Sequence, residues 1–169
     1  AVGQEYPVWC RINGKEYGIE EGTTIAEAQG IARKAQDAGS DAIHVSAFGP
    51  TAPLFMPPAV FVPGVIIHLA EAIKKAVTIP VIAVGRISPE AGEEILAKGK
   101  ADLIAIGKAL LVDPNLPNRV ASGLLEDITP CILCMRCRDD VFTTEPEALG
   151  IRCSVNAVLG KEKEYTLQD

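Results

Sequence analysis

Ile79-Pro-Val-Ile-Ala-Val-Gly-Arg86 and Ala101-Asp-Leu-Ile-Ala-Ile-Gly-Lys108 share one design: a solid apolar run, a glycine, then a cation. Each run is too short for a helix and too uniformly apolar for a strand with one wet face. Strands of a parallel sheet covered by helices on both faces read this way. Between the two runs, Ser88-Pro89-Glu90 opens a helix, with serine as cap and proline at the first helical position, and Gly99 closes it. Toward the N-terminus, Asp41-Ala-Ile-His-Val-Ser46 and Tyr6-Pro-Val-Trp-Cys-Arg-Ile12 are two further strands. Between them, Thr24-Ile-Ala-Glu27 is a capping box, and Ile25, Ala28, Ile31, Ala32 and Ala35 form the apolar face of a helix that Gly39 stops. Val65 to Val77 reads as a helix, as do the short stretches Lys108 to Val112 and Asn118 to Leu125.

The order is β-α repeated four times, with strands starting near 7, 41, 80 and 101. Such a series forms either a small open sheet or half of an eight-stranded barrel. A complete (β/α)8 barrel takes about 250 residues. The four units here occupy 1–125, a pitch that suits a half barrel. Residues 126–169 read as an irregular, cysteine-bearing segment.

The chain has 169 residues, 48% hydrophobic but only 5% aromatic, so its core must come from Val, Ile, Leu and Ala. A formal charge of -6 argues against a nucleic-acid binder and against a polybasic membrane-surface protein. No apolar run reaches the roughly 20 residues that span a bilayer. The longest, Ala59 to Ala72, is broken by Pro63, Gly64 and His68. No signal peptide opens the chain. It starts at Ala1 without a methionine, which reads as trimming or as a piece of something longer. Five cysteines, four of them within 23 residues, fit reduced thiolates in the cytoplasm better than a secreted disulfide framework.

Ligands of parallel α/β folds gather past the carboxyl ends of strands. Those ends carry Arg11, then His44 and Ser46, then Gly85-Arg86, then Gly107-Lys108. A glycine lets a phosphate approach backbone amides, the cation neutralises it, and the following helix start adds oriented donors. The matched Gly-cation pairs on neighbouring strands point to a phosphate, although each alone could be a simple turn. Arg11 could be a surface cation. His44 is a weak catalytic candidate, equally readable as a core or rim histidine, because no partner is visible to make it a base.

Pro130-Cys131-Ile-Leu-Cys134-Met-Arg-Cys137 is C-x2-C-x2-C, and fifteen residues later comes Cys153. A tight triad with a remote fourth ligand is the spacing of iron–sulfur cubanes. Structural zinc more often takes two separated pairs, or cysteines with histidines. Cys10, mid-strand among apolar neighbours, reads as a small buried hydrophobe.

Taken in order, Pro80-Val-Ile-Ala-Val-Gly-Arg-Ile87, Ala101 to Asn118 with its Gly-Lys-Ala-Leu-Leu-Val-Asp-Pro core, Pro130 to Cys137, and Arg152-Cys-Ser-Val-Asn-Ala157 resemble the old yellow enzyme family over nearly the whole chain. They are similar in particular to its long iron–sulfur branch of dienoyl-CoA reductases, enoate reductases and trimethylamine dehydrogenase. The resemblance implies strands five to eight of a TIM barrel with FMN at its carboxyl mouth. It implies that Arg11 contacts the flavin ring, that Gly85, Arg86, Gly107 and Lys108 hold the FMN phosphate, and that Cys131, Cys134, Cys137 and Cys153 bind a [4Fe-4S] cluster. A cation near the flavin would stabilise its reduced anionic form.

For the full-length protein the resemblance implies an N-terminal half barrel and a C-terminal FAD domain that takes electrons from NAD(P)H. The substrate would be an activated alkene, an enoate or an enoyl- or dienoyl-CoA. Lys108 stands where the family usually has arginine, keeping charge but not the planar fork. The gap before Cys153 is longer than usual, which predicts a bulging loop from Val141 to Leu149. The Pro-rich loop Phe48 to Pro63 is expected to border the mouth of the site. An open half barrel would expose edges and apolar faces, so self-association into a homo-oligomer, or docking of its missing half, is expected. Other readings of the same residues are an iron–sulfur electron-transfer module without substrate chemistry and a zinc-stabilised binding domain.

Overall fold

The structure, a computed structural model, describes residues 3, 5–49, 62–142 and 150–165. Four strands, β1 (Trp9–Glu16), β2 (Ala42–Phe48), β3 (Val81–Val84) and β4 (Leu103–Ala105), form one sheet in the order β1-β2-β3-β4. All three pairings are parallel. The helices are α1 (Ile25–Asp37), α2 (Ile67–Lys74), α3 (Pro89–Ala97), α4 (Lys108–Val112), α5 (Leu116–Ala121) and α6 (Arg136–Phe142).

That strand order decides between the two architectures left open by the sequence. Each connection steps to the next position in the same direction. Parallel crossovers share one hand, so the connecting helices fall on the same face of the sheet. A doubly wound sheet would reverse direction once and cover both faces.

Local sequence explains the elements. The Thr24 side chain accepts the Glu27 N–H, while the Glu27 carboxylate accepts the Thr24 N–H at 2.8 Å, so the capping box forms as expected. Ser88 caps α3 and Pro89 opens it. Ile43 and Val45 of β2 and Val81 and Ala83 of β3 pack against Ala28 and Ala32 of α1 and Leu69, Ala70 and Ile73 of α2. Burying each large aliphatic there stabilises the fold by roughly 1.5–3 kcal/mol. Gly14 lets α2 approach β1, because a Cβ at that position would lie 2.9 Å from Leu69 Cβ.

The other face differs from the expectation. Arg11, His44, Ile82 and Leu103 stand side by side in register, on the face away from Ile43 and Val81. Trp9 is 56% and Leu103 50% exposed there. Within the first unit, and among the described residues, helices therefore cover one face of the strands. Their apolar composition suits the inside of a barrel, where the second face is closed by other strands rather than by helices.

The chain divides into two compact units, residues 1–106 and 107–169. The expected boundary at 125/126 lies inside the second. Most of the Pro-rich loop, 50–61, and the stretch 143–149 lie outside the described residues, so neither the mouth-bordering role nor the bulge is visible. Among the described residues no helix is long and apolar enough to cross a membrane.

Candidate functional site

In the second unit Cys131, Cys134, Cys137 and Cys153 all line one pocket, with Lys108, Leu111, Val112, Ile132, Met135 and Val155 completing its wall. The chain turns around it in a costly conformation. Leu133 and Met135, each directly before or after a cysteine-bearing turn position, have φ of 54° and 63°. Such left-handed residues are rarely tolerated outside glycine and cluster at functional sites. α6 then begins at Arg136 and carries Cys137 in its first turn.

Two of the sulfurs have hydrogen-bond partners. The Ser154 hydroxyl lies 3.4 Å from Cys134 Sγ, and its hydrogen bond is the main cause holding the Cys134 pKa below the ordinary thiol value. Val155 N–H donates to Cys153 Sγ at 3.4 Å. Burial pushes the Cys137 thiol up; the Lys108 charge opposes this, and the sulfurs of Cys131 and Cys153 add to it. Thiolates that repel one another beside a cation, inside apolar walls, form a donor set suited to a positively charged inorganic group. Among the described residues no group of three His, Cys, Asp or Glu side chains is close enough together to hold a metal ion.

Three polar residues, which the sequence reading did not single out, hold the cysteine loops in place. Asp113, only 4% exposed, accepts the N–H of Thr129 at 3.0 Å, two residues before Cys131. Asn156 Nδ2 donates to the Leu111 carbonyl at 2.9 Å, pinning the turn after Cys153 to α4. Asp140 pairs with Arg152, the residue before Cys153. Spacing alone could have flagged only Asp113, through the Asp-Pro that breaks α4.

In the first unit, Arg11 is not at the carboxyl end of its strand as the sequence suggested. β1 runs on to Glu16, and Arg11 pairs with His44 near the middle of the sheet. Its side chain still reaches forward, donating to Ser46 Oγ at 2.9 Å. Neither Arg11 nor Arg86 has a carboxylate partner among the described residues. Gly85 and Arg86 do follow β3 directly, both with positive φ, 131° and 54°. The glycine is needed for packing, since a Cβ there would meet Ile66 Cγ1 at 2.7 Å. Arg86 Nε donates to the Val62 carbonyl at 3.2 Å, and burial lowers its pKa. A half-buried guanidinium without a counter-charge is a site for an anion.

His44 Nε2 is buried without a hydrogen-bond partner among the described residues. Burial and then the Arg11 charge lower its pKa. Gly107 precedes α4 with open space around its α-carbon, and Lys108 starts that helix, whose five residues make a weak dipole. These two belong to the second unit, where Lys108 lines the cysteine pocket. Cys10 packs against the core of the first unit.

Residues 1–127 match the sequence profile of the NADH:flavin oxidoreductase / NADH oxidase family. The chain is 40% identical to an NADH oxidase of Thermoanaerobacter brockii over 98% of its own length and 25% of that protein's. It is 30% identical to a cinnamate reductase of Clostridium sporogenes over 98% of its length and 27% of that protein's. Its fold superposes on the solved 2-naphthoyl-CoA reductase complex with a TM-score of 0.79 and 28% identity, covering 95% of this chain and 24% of that one. The chain thus spans about a quarter of the length of the relatives it matches. Its single-wound sheet is a partial TIM barrel of the kind those enzymes contain. On the match over most of its length, the chain belongs to the NADH:flavin oxidoreductase / NADH oxidase family, the old yellow enzyme family that its motifs resemble.

Proposed function

We propose that this chain is part of an FMN- and [4Fe-4S]-dependent NAD(P)H oxidoreductase that reduces an activated C=C bond of the 2-enoate or enoyl- or dienoyl-CoA type. The observation that carries the reading is the pocket ringed by Cys131, Cys134, Cys137 and Cys153 in a chain of flavin-oxidoreductase family. The substrate class is supported by the names of two relatives, a cinnamate reductase and a naphthoyl-CoA reductase. The whole protein would add the remaining barrel strands and an FAD domain, work in the cytoplasm, and could pair with a second copy of itself.

When bound, FMN would supply hydride transfer and the cluster one-electron relay. The four thiolates would ligate the cluster. Leu111, Val112, Ile132, Met135 and Val155 would keep water from it. The Val155 N–H, donating to Cys153, and the Ser154 hydroxyl, which would turn to donate to a deprotonated Cys134, would spread the sulfur charge. On the open face of the sheet, Arg11 would offer its guanidinium to the electron-rich edge of the flavin, held forward by Ser46. Arg86, half-buried and without a carboxylate partner among the described residues, would pair with the phosphate. His44, held neutral, would add no charge beside Arg11.

The test is anaerobic purification of the full chain with assays of iron, sulfide and flavin. Equal iron and sulfide with a broad visible absorption supports the cluster. Substituting any of Cys131, Cys134, Cys137 or Cys153 by alanine should abolish it, whereas Cys10→Ala should not. A colourless zinc protein would overturn the cluster. A cluster-bearing protein that takes up no FMN even with the remaining barrel strands supplied would leave an electron-transfer module instead.

A further inference from the structure

The geometry points to Asp140 as the positioning residue that sets the distance between the third and fourth cysteine ligands. This rests on the cluster reading above and adds a residue to it. Cys137 sits in α6, and Cys153 lies on a separate stretch fifteen residues later. Asn156 pins the chain after Cys153 to α4, but relating the chain before Cys153 to α6 needs a second tie. Asp140 supplies the tie. One oxygen, Oδ2, accepts the backbone N–H of Arg152 at 2.8 Å and Arg152 Nε at 3.3 Å. The other, Oδ1, accepts Arg152 Nη2 at 2.7 Å and faces Arg136 Nε at 3.3 Å.

One carboxylate therefore joins the residue just before Cys137 to the residue just before Cys153. Its side chain is only 5% exposed, while both arginines are nearly half exposed. The backbone bond is the important one. It fixes the main chain of residue 152, and so the starting point of the Cys153 side chain, instead of merely neutralising charge. Charge-assisted, forked hydrogen bonds of this kind carry directional specificity that a lone ion pair lacks. The guanidinium and amide bonds also pull the Asp140 carboxyl below its ordinary range.

The arrangement separates two jobs. Asp140 and Arg152 close the ligand loop at its base, so the residues between them are freed from setting the ligand distance.

The test uses the anaerobically reconstituted full chain and follows iron release to a ferrous chelator. Asp140→Leu should release iron about tenfold faster or more, the scale on which supporting residues act in metal sites. Arg152→Gln, which keeps the backbone bond, should lie between it and wild type. Asp140→Glu, which can still accept from the arginine, should restore part of the loss, a rescue that simple loss of packing would not give. Deleting three residues within 143–149 should leave the release rate unchanged. An iron-loaded wild type with Asp140→Leu releasing at the same rate overturns the clasp alone. If instead the loop deletion accelerates release as much as Asp140→Leu, the intervening chain and not Asp140 sets the distance, and the clasp also fails. A wild type that takes up no iron overturns the cluster reading beneath it.

Discussion

The Asp113 carboxylate accepts the backbone N–H of Thr129 at 3.0 Å, tying the end of α4 to the approach to Cys131. The same carboxylate accepts from Asn115 N–H at 3.1 Å and is paired with Arg119, which also donates to the Asp127 carbonyl at 2.6 Å. A charge this buried is tolerated because every side of it is met by a donor. Asp113→Ala leaves those donors unmet and should cost about 2–4 kcal/mol. Asp113→Asn keeps an acceptor and should cost less. Urea unfolding followed by a probe in the second unit measures both; equal stability of Asp113→Ala and wild type would contradict the assignment.

Arg11 and His44, register partners across β1 and β2, are coupled by charge repulsion. Burial and then the Arg11 charge hold His44 below its ordinary value of 6.5, so the folded state disfavours its proton. The unfolded chain takes up that proton first as pH falls through 6.5. Stability from this group is therefore full above that value and declines below it, until the folded histidine also titrates. Arg11→Met should raise the His44 pKa toward 6.5, as read by NMR of the ring protons. No movement would mean that burial alone sets it.

Gly85 and Gly107 look alike in sequence and are different in space. Gly85 has φ of 131° and Ile66 at 2.7 Å from any added Cβ, so Gly85→Ala should destabilise the first unit by about 1–3 kcal/mol. Gly107 has nothing within 4 Å of an added Cβ and a negative φ of -109°. Gly107→Ala should stay within about 0.5 kcal/mol of wild type in thermal unfolding. If the phosphate reading is right, it should nevertheless weaken FMN binding, measured by flavin fluorescence titration.

These contrasts show what a linear reading can reach. Capping at Thr24 and Ser88 was legible because helix starts are set by neighbours three residues apart. The strand cores were legible because solid apolar runs have few alternatives. Strand ends were not: β1 continues through the polar Asn13-Gly14-Lys15-Glu16, because pairing with β2 rather than hydrophobicity sustains it. The cysteine set was legible as spacing, yet α6 was missed, since its seven residues include two adjacent aspartates and no apolar period. Asp113, Asp140 and Asn156 stayed hidden because their partners are 16, 12 and 45 residues away.

Asp102 gives the last prediction, at the start of β4. Its Oδ2 accepts the Val81 N–H at 2.9 Å while its own N–H donates to the Val81 carbonyl at 2.9 Å, locking the beginnings of β3 and β4 together. Lys74 Nζ lies 2.5 Å from Oδ1. Burial works against the carboxylate, but the Lys74 and Val81 hydrogen bonds and the Lys74 charge outweigh it, and the pKa falls below 3.8. The unfolded chain therefore binds the proton first, and the stabilisation is full above 3.8 and lost as pH drops through the lower folded value. With the side chain 36% exposed, solvent screening limits the effect to about 1 kcal/mol or less. Asp102→Asn keeps the acceptor for Val81 but not the charge. Its urea midpoint should trail wild type at neutral pH, and the gap should close as both are titrated below pH 3.8. A gap that persists undiminished into strong acid would show that shape, not ionisation, does the locking.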